Sequence, residues 1–239
     1  MSETNSEFRV MTSGAFTAAY LALIPQIERV SKRKVVTVTT SIGSGDISIE
    51  NRLKRGEAAD LVVVAEPFFR QFQAAGLVDD EGHRIVARSI VAMAVRAGAP
   101  KPDISTPDAL KKTLLAAKSI GYSVSESGKY FSTVLVQRLG IADQVLPKSR
   151  QIGGGVRVGA VVAKGELEIG FQQLSELLPI EGIAHITPLP GELQKVTSVV
   201  TCVASHSPNK SIARSVIDFL ASPAVGQTIK DTGLEPVGA

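Results

Sequence analysis

The chain has 239 residues, 44% of them hydrophobic and 21% charged, with a formal net charge of +3. This composition is typical of a globular protein that can bury the core of one large domain or of two ordinary ones. It excludes several classes. The basic residues are dispersed and Trp is absent, which disfavours a nucleic-acid surface, and the single Cys202 excludes an internal disulfide. No apolar run reaches the roughly 18 residues that a membrane-spanning helix needs.

The N-terminal segment is polar and acidic. Its sequence, Met1-Ser-Glu-Thr-Asn-Ser-Glu, has neither the basic region nor the apolar region of a secretory signal. As the chain is written, this predicts a cytoplasmic protein. If a signal has been removed, a periplasmic location is equally consistent with the rest of the sequence.

Apolar patterns of two periods alternate along the chain. Period-two or fully apolar runs predict strands at residues 8–11, 34–39, 60–65, 89–95, 120–124, 168–171 and 196–203. Helical spacing predicts helices at residues 15–30, 49–54, 68–75, 109–117, 125–139, 156–163, 211–220 and 223–231. Such alternation indicates an α/β fold. We expect two lobes, residues 1–88 plus 200–239 and residues 89–199, with a ligand cleft between them.

Four of the strand-to-helix junctions are rich in glycine and small hydroxyl residues. They read Thr12-Ser13-Gly14, Gly43-Ser44-Gly45, Ser125-Glu126-Ser127-Gly128 and Gly153-Gly154-Gly155. Ligands of open α/β sheets bind at the carboxyl ends of strands, where such junctions lie. Backbone N–H groups and Ser hydroxyls would supply donors and few acceptors, so the predicted ligand is a small anion. Glycine loops are also ordinary in α/β proteins, and Lys129 and Arg157, beside the third and fourth junctions, can equally be exposed cations at helix starts.

Other catalytic motifs are absent from the sequence. It contains no P-loop and no G-x-S-x-G nucleophile elbow, and the triple glycine lacks the G-x-G-x-x-G order of a dinucleotide site. Its three histidines, His83, His185 and His206, are isolated from one another. We therefore expect no metal site and no cofactor.

Several of these segments resemble the periplasmic molybdate-binding proteins of ABC transporters, over nearly the whole chain. The segments are TSGAF, GSGDISIENRLKRGEAADLVVVAE, SGKYFSTVLVQRLG and GGGVRVGAVVAKGELEIGF. The resemblance implies the two-lobe type II periplasmic-binding-protein fold. It also implies an oxyanion held by serines and backbone amides at Ser13 or Ala15, Ser44, Gly128 and Val156.

The sequence departs from that family at three points. Ala15 stands where the family's first loop usually has serine, with Ser13 nearby, and Gln173 stands where the family has tyrosine. Lys129 and Arg157 add positive charge, which suits a carboxylate better than an oxyanion held by neutral dipoles. The predicted ligand-binding residues are Ser13, Gly14, Ala15, Ser44, Gly45, Ser127, Gly128, Lys129, Tyr130, Val156, Arg157 and Gln173.

Two functions fit this site. The first is a solute-binding protein that closes on a small carboxylate or oxyanion and delivers it to an ABC transporter permease. The second is an isomerase of a small unsaturated polycarboxylate, since aconitate isomerases are similar to these binding proteins and move a proton along an allylic tricarboxylate. The candidates for the proton-carrying group are Tyr130, Lys129 and Asp46, and the sequence does not choose among them.

Overall fold

The computed structural model describes residues 6–43 and 45–237. They divide into two compact units, which are Met1–Arg88 with Thr197–Ala239 (unit 1) and Ser89–Val196 (unit 2). Both units are built from strands alternating with helices, so the predicted α/β class is confirmed. Among the described residues, no helix is both long enough and apolar enough to cross a lipid bilayer.

The predicted strands and helices occur in the expected order, with the further elements β6, β8, β10, α7 and α9 between or after them. The strands are β1 (Glu7–Thr12), β2 (Lys34–Val38), β3 (Leu61–Ala65), β4 (Arg84–Arg96), β5 (Ile120–Ser123), β6 (Ser149–Ile152), β7 (Ile169–Gln173), β8 (Ile183–Pro188), β9 (Val196–Val203) and β10 (Glu235–Pro236). The α-helices are α1 (Gly14–Ser31), α2 (Ile49–Lys54), α3 (Glu66–Ala74), α4 (Pro107–Ala116), α5 (Glu126–Tyr130), α6 (Val136–Arg138), α7 (Ala142–Val145), α8 (Val158–Ala163), α9 (Leu174–Leu177), α10 (Lys210–Leu220) and α11 (Gly226–Asp231). A π-helical turn, Phe131–Leu135, joins α5 to α6, and short 3-10 turns lie at Leu146–Lys148, Gly191–Leu193 and Pro223–Val225.

The sheet of unit 1 is covered on both faces. Its strands run in the order β2-β1-β3-β9, with β1 parallel to β2 and β3, and β9 antiparallel to β3. Phe8 and Val10 of β1 pack with residues of α1 and α10, whereas Met11 packs on the other face with Phe69 and Phe72 of α3. Because side chains alternate along a strand, a strand whose two faces are both covered must be apolar at every position, as β3 is.

Unit 2 has a sheet with three neighbouring parallel strands. The order is β7-β5-β6, and β4 lies antiparallel to both β7 and β8. Val91, Met93 and Val95 of β4 pack in a core that includes Phe131 and Leu135, and the intervening Ala92 and Ala94 pack against Leu177 of α9. The carboxyl ends of β5, β6 and β7 therefore lie at one edge of this sheet.

Several predicted boundaries are wrong. The helix expected from residue 156 begins at Val158, because Gly154 (φ 67°) and Gly155 (φ 83°) turn the backbone into the left-handed region first. The strand β4 begins at Arg84 rather than residue 89. The sequence patterns do not predict strands β6, β8 and β10. In β6 (SRQI), for example, a single residue is buried, so the strand gives little periodic signal.

Candidate functional site

In unit 1, the loops that follow β1 and β2 are joined by a hydrogen bond. Ser13 follows β1, lies buried, and donates its backbone N–H to the Val63 carbonyl of β3 at 2.8 Å. The Thr40 hydroxyl, just after β2, donates to the Thr12 carbonyl at 2.8 Å. Gly14 and Ala15 form the start of α1 and are half-buried. The parallel pairing of β1 and β2 thus brings their two following loops together.

The loop between β2 and α2 closes on itself. Ser41 donates its N–H to the Ile47 carbonyl at 3.0 Å, and Ser48 donates to the Gly45 carbonyl at 2.8 Å. Gly45 and Asp46 are exposed at its tip, and a Cβ on Gly45 would meet nothing within 4 Å. Ser44, which was predicted to bind the ligand, lies outside the residues that the structure describes.

In unit 2, three serine hydroxyls form a triangle where β5 ends. Ser123 Oγ lies 2.7 Å from Ser125 Oγ and 3.0 Å from Ser127 Oγ, and the last two are 3.3 Å apart. Ser127 was predicted for the site, but Ser123 and Ser125 were not. Each hydroxyl can donate one proton, so the cluster can redirect donors toward an acceptor. Gly128 continues α5, and its backbone lies against Ser123.

The glycine loop that follows β6 contacts Val124, which stands between Ser123 and Ser125 in the chain. Val124 donates its N–H to the Ile152 carbonyl at 3.0 Å, which joins the ends of β5 and β6. The side chain of Val124 lies against Gly153, where an added Cβ would come within 2.7 Å of Val124 Cγ1. Val156 is 54% exposed and Val124 36% exposed. Exposed apolar side chains therefore lie within this loop, at Val156, and against it, at Val124.

The end of β7 supplies two buried amides. Gln173, predicted for the site, accepts a hydrogen bond from the Ser89 hydroxyl at 2.9 Å. Gln172 accepts one from the Val158 N–H at 2.9 Å and so ties β7 to the first residue of α8. Arg157, immediately before α8, is half-buried. Three junctions of unit 2 thus meet at one edge of its sheet.

The structure adds one titratable residue that the sequence analysis missed. Glu176, on α9, is 8% exposed. Burial raises the pKa of its carboxyl to about 7, while the Arg157 charge and a hydrogen bond with Gln172 act in the opposite direction. Its position four residues after Gln172, just past a strand, is the only signal that the sequence offers.

The three candidates for a proton-carrying group lie in different surroundings. The Tyr130 hydroxyl donates to the Leu193 carbonyl at 2.7 Å, and the residue is 9% exposed. Lys129 is exposed on α5. Asp46 is exposed in the loop of unit 1, and its backbone carbonyl accepts from Arg55 Nη2 at 2.8 Å.

Comparison with known proteins gives consistent matches over nearly the full chain. The profile of the family described as bacterial extracellular solute-binding protein matches residues 8–235. A curated relative, an aconitate isomerase from a Pseudomonas species, is 38% identical over 231 residues, which are 96% of this chain and 88% of the relative.

Two solved structures share the fold. The periplasmic molybdate-binding protein of Azotobacter vinelandii superposes with a TM-score of 0.75 at 17% identity, covering 95% of this chain and 98% of that one. A tungstate ABC transporter protein from Geobacter sulfurreducens gives 0.71 at 15% identity, covering 96% and 100%. These likenesses confirm the predicted periplasmic-binding-protein fold.

Proposed function

Because the chain belongs to the bacterial extracellular solute-binding protein family, we propose that it takes a small polycarboxylate as its ligand and isomerises it, as an aconitate isomerase does. The family makes it a solute-binding protein, and the proposal concerns the ligand and the reaction. The observation that carries it is the setting of the glycine loop, where the half-buried Arg157 directly follows the exposed Val156 and where Gly153 lies against the exposed Val124.

This setting distinguishes two kinds of anion. Molybdate is a tetrahedral oxyanion with no hydrocarbon, so it gains nothing from apolar neighbours and needs only neutral donors. A polycarboxylate has both parts: carboxylates that pair bidentately with a guanidinium, and a carbon skeleton that can cover a valine. Charge and apolar surface together therefore favour the carboxylate. The relative at 38% identity acts on a ligand of this class by its name.

The reaction needs little beyond proton transfer and charge stabilisation. A base removes a proton from the methylene carbon next to the double bond, and the electron pair moves into the allylic system. The proton then returns to the other end, so that one C–H bond breaks, one forms, and the double bond shifts. Cationic and hydroxyl donors stabilise the developing enolate charge, a role for Arg157 and the Ser123–Ser125–Ser127 cluster. Lys129 and Asp46 are the exposed candidates for carrying the proton.

A thermal-shift panel with molybdate, tungstate, sulfate, citrate and cis- and trans-aconitate tests the ligand. We expect the tricarboxylates to raise the melting temperature and the inorganic oxyanions to leave it unchanged. Incubation with either aconitate isomer, followed by proton NMR, then tests turnover. A shift with molybdate alone contradicts the proposal. If the tricarboxylates raise the melting temperature but the aconitate isomers are not interconverted, the protein binds this ligand and is not an isomerase.

A second candidate, delivery of an anion to a transporter, is favoured by solved structures of the same fold, whose titles name the substrate-binding domain of a putative molybdenum ABC transporter and a tungstate ABC transporter. In that function the partner is an ABC transporter permease and the protein works in the periplasm. Binding of the purified chain to permease-containing membranes only in the presence of its anion would support it.

The variant Arg157→Ala tests the role of the guanidinium. If Arg157 pairs with a desolvated carboxylate, calorimetry should show that citrate binding weakens by about 2–3 kcal/mol. Arg150→Ala is the matched control, because Arg150 is exposed on β6 and pairs with Glu166 at the surface. An unchanged dissociation constant in Arg157→Ala would remove Arg157 from the site.

A further inference from the structure

Glu176 is a buried carboxyl with a defined set of neighbours. Its element, α9, packs against α8, β7 and β8. Gln172 of β7 hydrogen-bonds to it, and since the Gln172 amide oxygen already accepts from the Val158 N–H, the amide NH₂ is the group left to donate. The carboxyl is thus linked through one side chain to the start of α8.

The charges that face Glu176 are few. In β4, whose Ala92 and Ala94 contact Leu177 of α9, the charged residues Arg84, Arg88 and Arg96 are exposed. At α8 the charged neighbour is Arg157, whose positive charge favours the ionised carboxylate. The sequence of β7, IGFQQ, has no charged residue. In β8 the titratable residue is His185, and its Nε2 lies 3.0 Å from the Pro102 carbonyl. Arg157 is therefore the charged neighbour on which the ionisation of Glu176 depends, and it is also the cation proposed to hold the ligand.

We propose that Glu176 is a positioning residue of the anion site, which holds Arg157 by charge while the site is empty and takes up a proton when an anion pairs with Arg157. This inference rests on the proposed function, in that it requires an anion at Arg157. The reasoning is one of competition. A ligand carboxylate beside the guanidinium offsets the charge that stabilises ionised Glu176, and a buried carboxylate that loses its counter-charge binds a proton.

Because Glu176 is buried, its uptake of a proton on anion binding falls in the neutral pH range. Because the carboxyl of the empty protein has a pKa of about 7, a substantial share of it is ionised above neutrality and available for protonation. Anion binding should then weaken as the pH rises above 7, up to about tenfold per pH unit while one proton is linked. A purely structural carboxyl would give no such dependence.

Calorimetry with tricarballylate tests the inference, because this saturated tricarboxylate cannot be isomerised. Titrations at pH 7.5 in HEPES and in Tris, which differ in ionisation enthalpy, give the number of protons taken up. We expect uptake of up to about three-quarters of a proton in the wild type, the share of Glu176 that is ionised at this pH, and clearly less in Glu176→Gln, whose affinity should also be nearly independent of pH between 6.5 and 8. Protonation of the ligand itself contributes equally to both proteins and cancels in the comparison.

The matched variants keep the test decisive. Glu176→Asp retains a carboxyl and should retain the uptake, and Glu181→Gln, at an exposed glutamate of the same unit, should behave as wild type. Equal uptake in wild type and Glu176→Gln overturns the inference. If Glu176→Gln does not fold, a wild type that takes up no protons overturns it equally.

If the proposed function is wrong, the binding experiments give a different set of results. Absence of tricarballylate binding, or binding that Arg157→Ala leaves unchanged, contradicts the polycarboxylate site itself. The same paired titrations with molybdate then test Glu176 alone. Binding of neither anion overturns both proposals.

Discussion

The carbonyl oxygen of Ser123 occupies the space that a Cβ atom on Gly128 would need. The two residues meet because α5 folds back on the end of β5, and the Ser123 carbonyl is fixed by the strand. A backbone atom cannot move aside as the end of a flexible side chain can. Glycine at position 128 is thus a steric requirement of the turn that carries the serine cluster.

Gly128→Ala should therefore destabilise the protein by about 1–3 kcal/mol, the usual cost of forcing an extra methyl into a packed site. Urea unfolding followed by circular dichroism measures the change. The control is Gly191→Ala, where a Cβ would meet nothing within 4 Å and φ is not positive, so its effect should stay within about 0.5 kcal/mol. Equal stability of the two variants would contradict the steric argument.

Asp60 is a second buried anchor, at the start of β3. Its Oδ1 accepts from the Ser207 hydroxyl at 2.6 Å and from Asn209 Nδ2 at 3.0 Å, and its Oδ2 accepts from the Arg9 N–H at 2.8 Å. Asp60→Asn would turn one acceptor into a donor that faces other donors. We expect a loss of about 1–3 kcal/mol in unfolding free energy, measured by denaturant titration.

Asp218→Asn serves as the control for Asp60. Asp218 lies at the surface of the same unit, its side chain is 67% exposed, and its ion pair with Arg84 spans 3.6 Å. Such pairs contribute little, so the loss should be below about 0.5 kcal/mol. A loss at position 60 no larger than this would show that the network does not stabilise unit 1.

The buried Glu176 predicts a pH dependence of stability. Its pKa is raised to about 7 in the folded chain, so between roughly pH 4.5 and 7 the unfolded chain loses the proton that the folded chain retains. Stability therefore falls as the pH rises through this window, by up to about 3 kcal/mol for this group. Glu176→Gln stays neutral and should avoid that loss.

The measurement is the difference in unfolding free energy between wild type and Glu176→Gln at pH 5 and at pH 8. Relative to the wild type, the variant should gain stability on going to pH 8, and Glu181→Gln should show no comparable gain. A constant difference across the range would mean that Glu176 titrates alike in the folded and unfolded chains.

The thiol of Cys202 should be unreactive in the native protein. It is fully buried in β9, and burial raises the pKa of its thiol well above the ordinary value, with the Asp79 charge adding to the effect. A disulfide reagent should modify it completely in guanidinium and, in native buffer, only at the rate at which unit 1 opens. Rapid native modification would contradict this burial.

The sequence is most informative where local chemistry decides the structure. Glycine and serine clusters locate the strand-to-helix junctions, and the alternation of apolar periods gives the α/β class. The start of α8 was misplaced because Gly154 and Gly155 could either cap a helix or delay it, and only their left-handed φ angles decide. Glu176 was missed for another reason. An isolated glutamate in a polar sequence looks exposed, and its burial depends on how α8, β7 and β8 pack around α9.

Unit 2 is one continuous segment, whereas unit 1 is completed by Thr197–Ala239, which follows unit 2 in the chain. On the ribosome, unit 2 therefore leaves the exit tunnel while unit 1 still lacks β9, which pairs with β3, and α10, which covers the core beside α1. Unit 1, whose first strands are synthesised before unit 2, can therefore complete its fold only after unit 2 has been made. Until β9 is added, the edge of β3 that faces away from β1 has no strand neighbour, which exposes nascent chains to association at that edge.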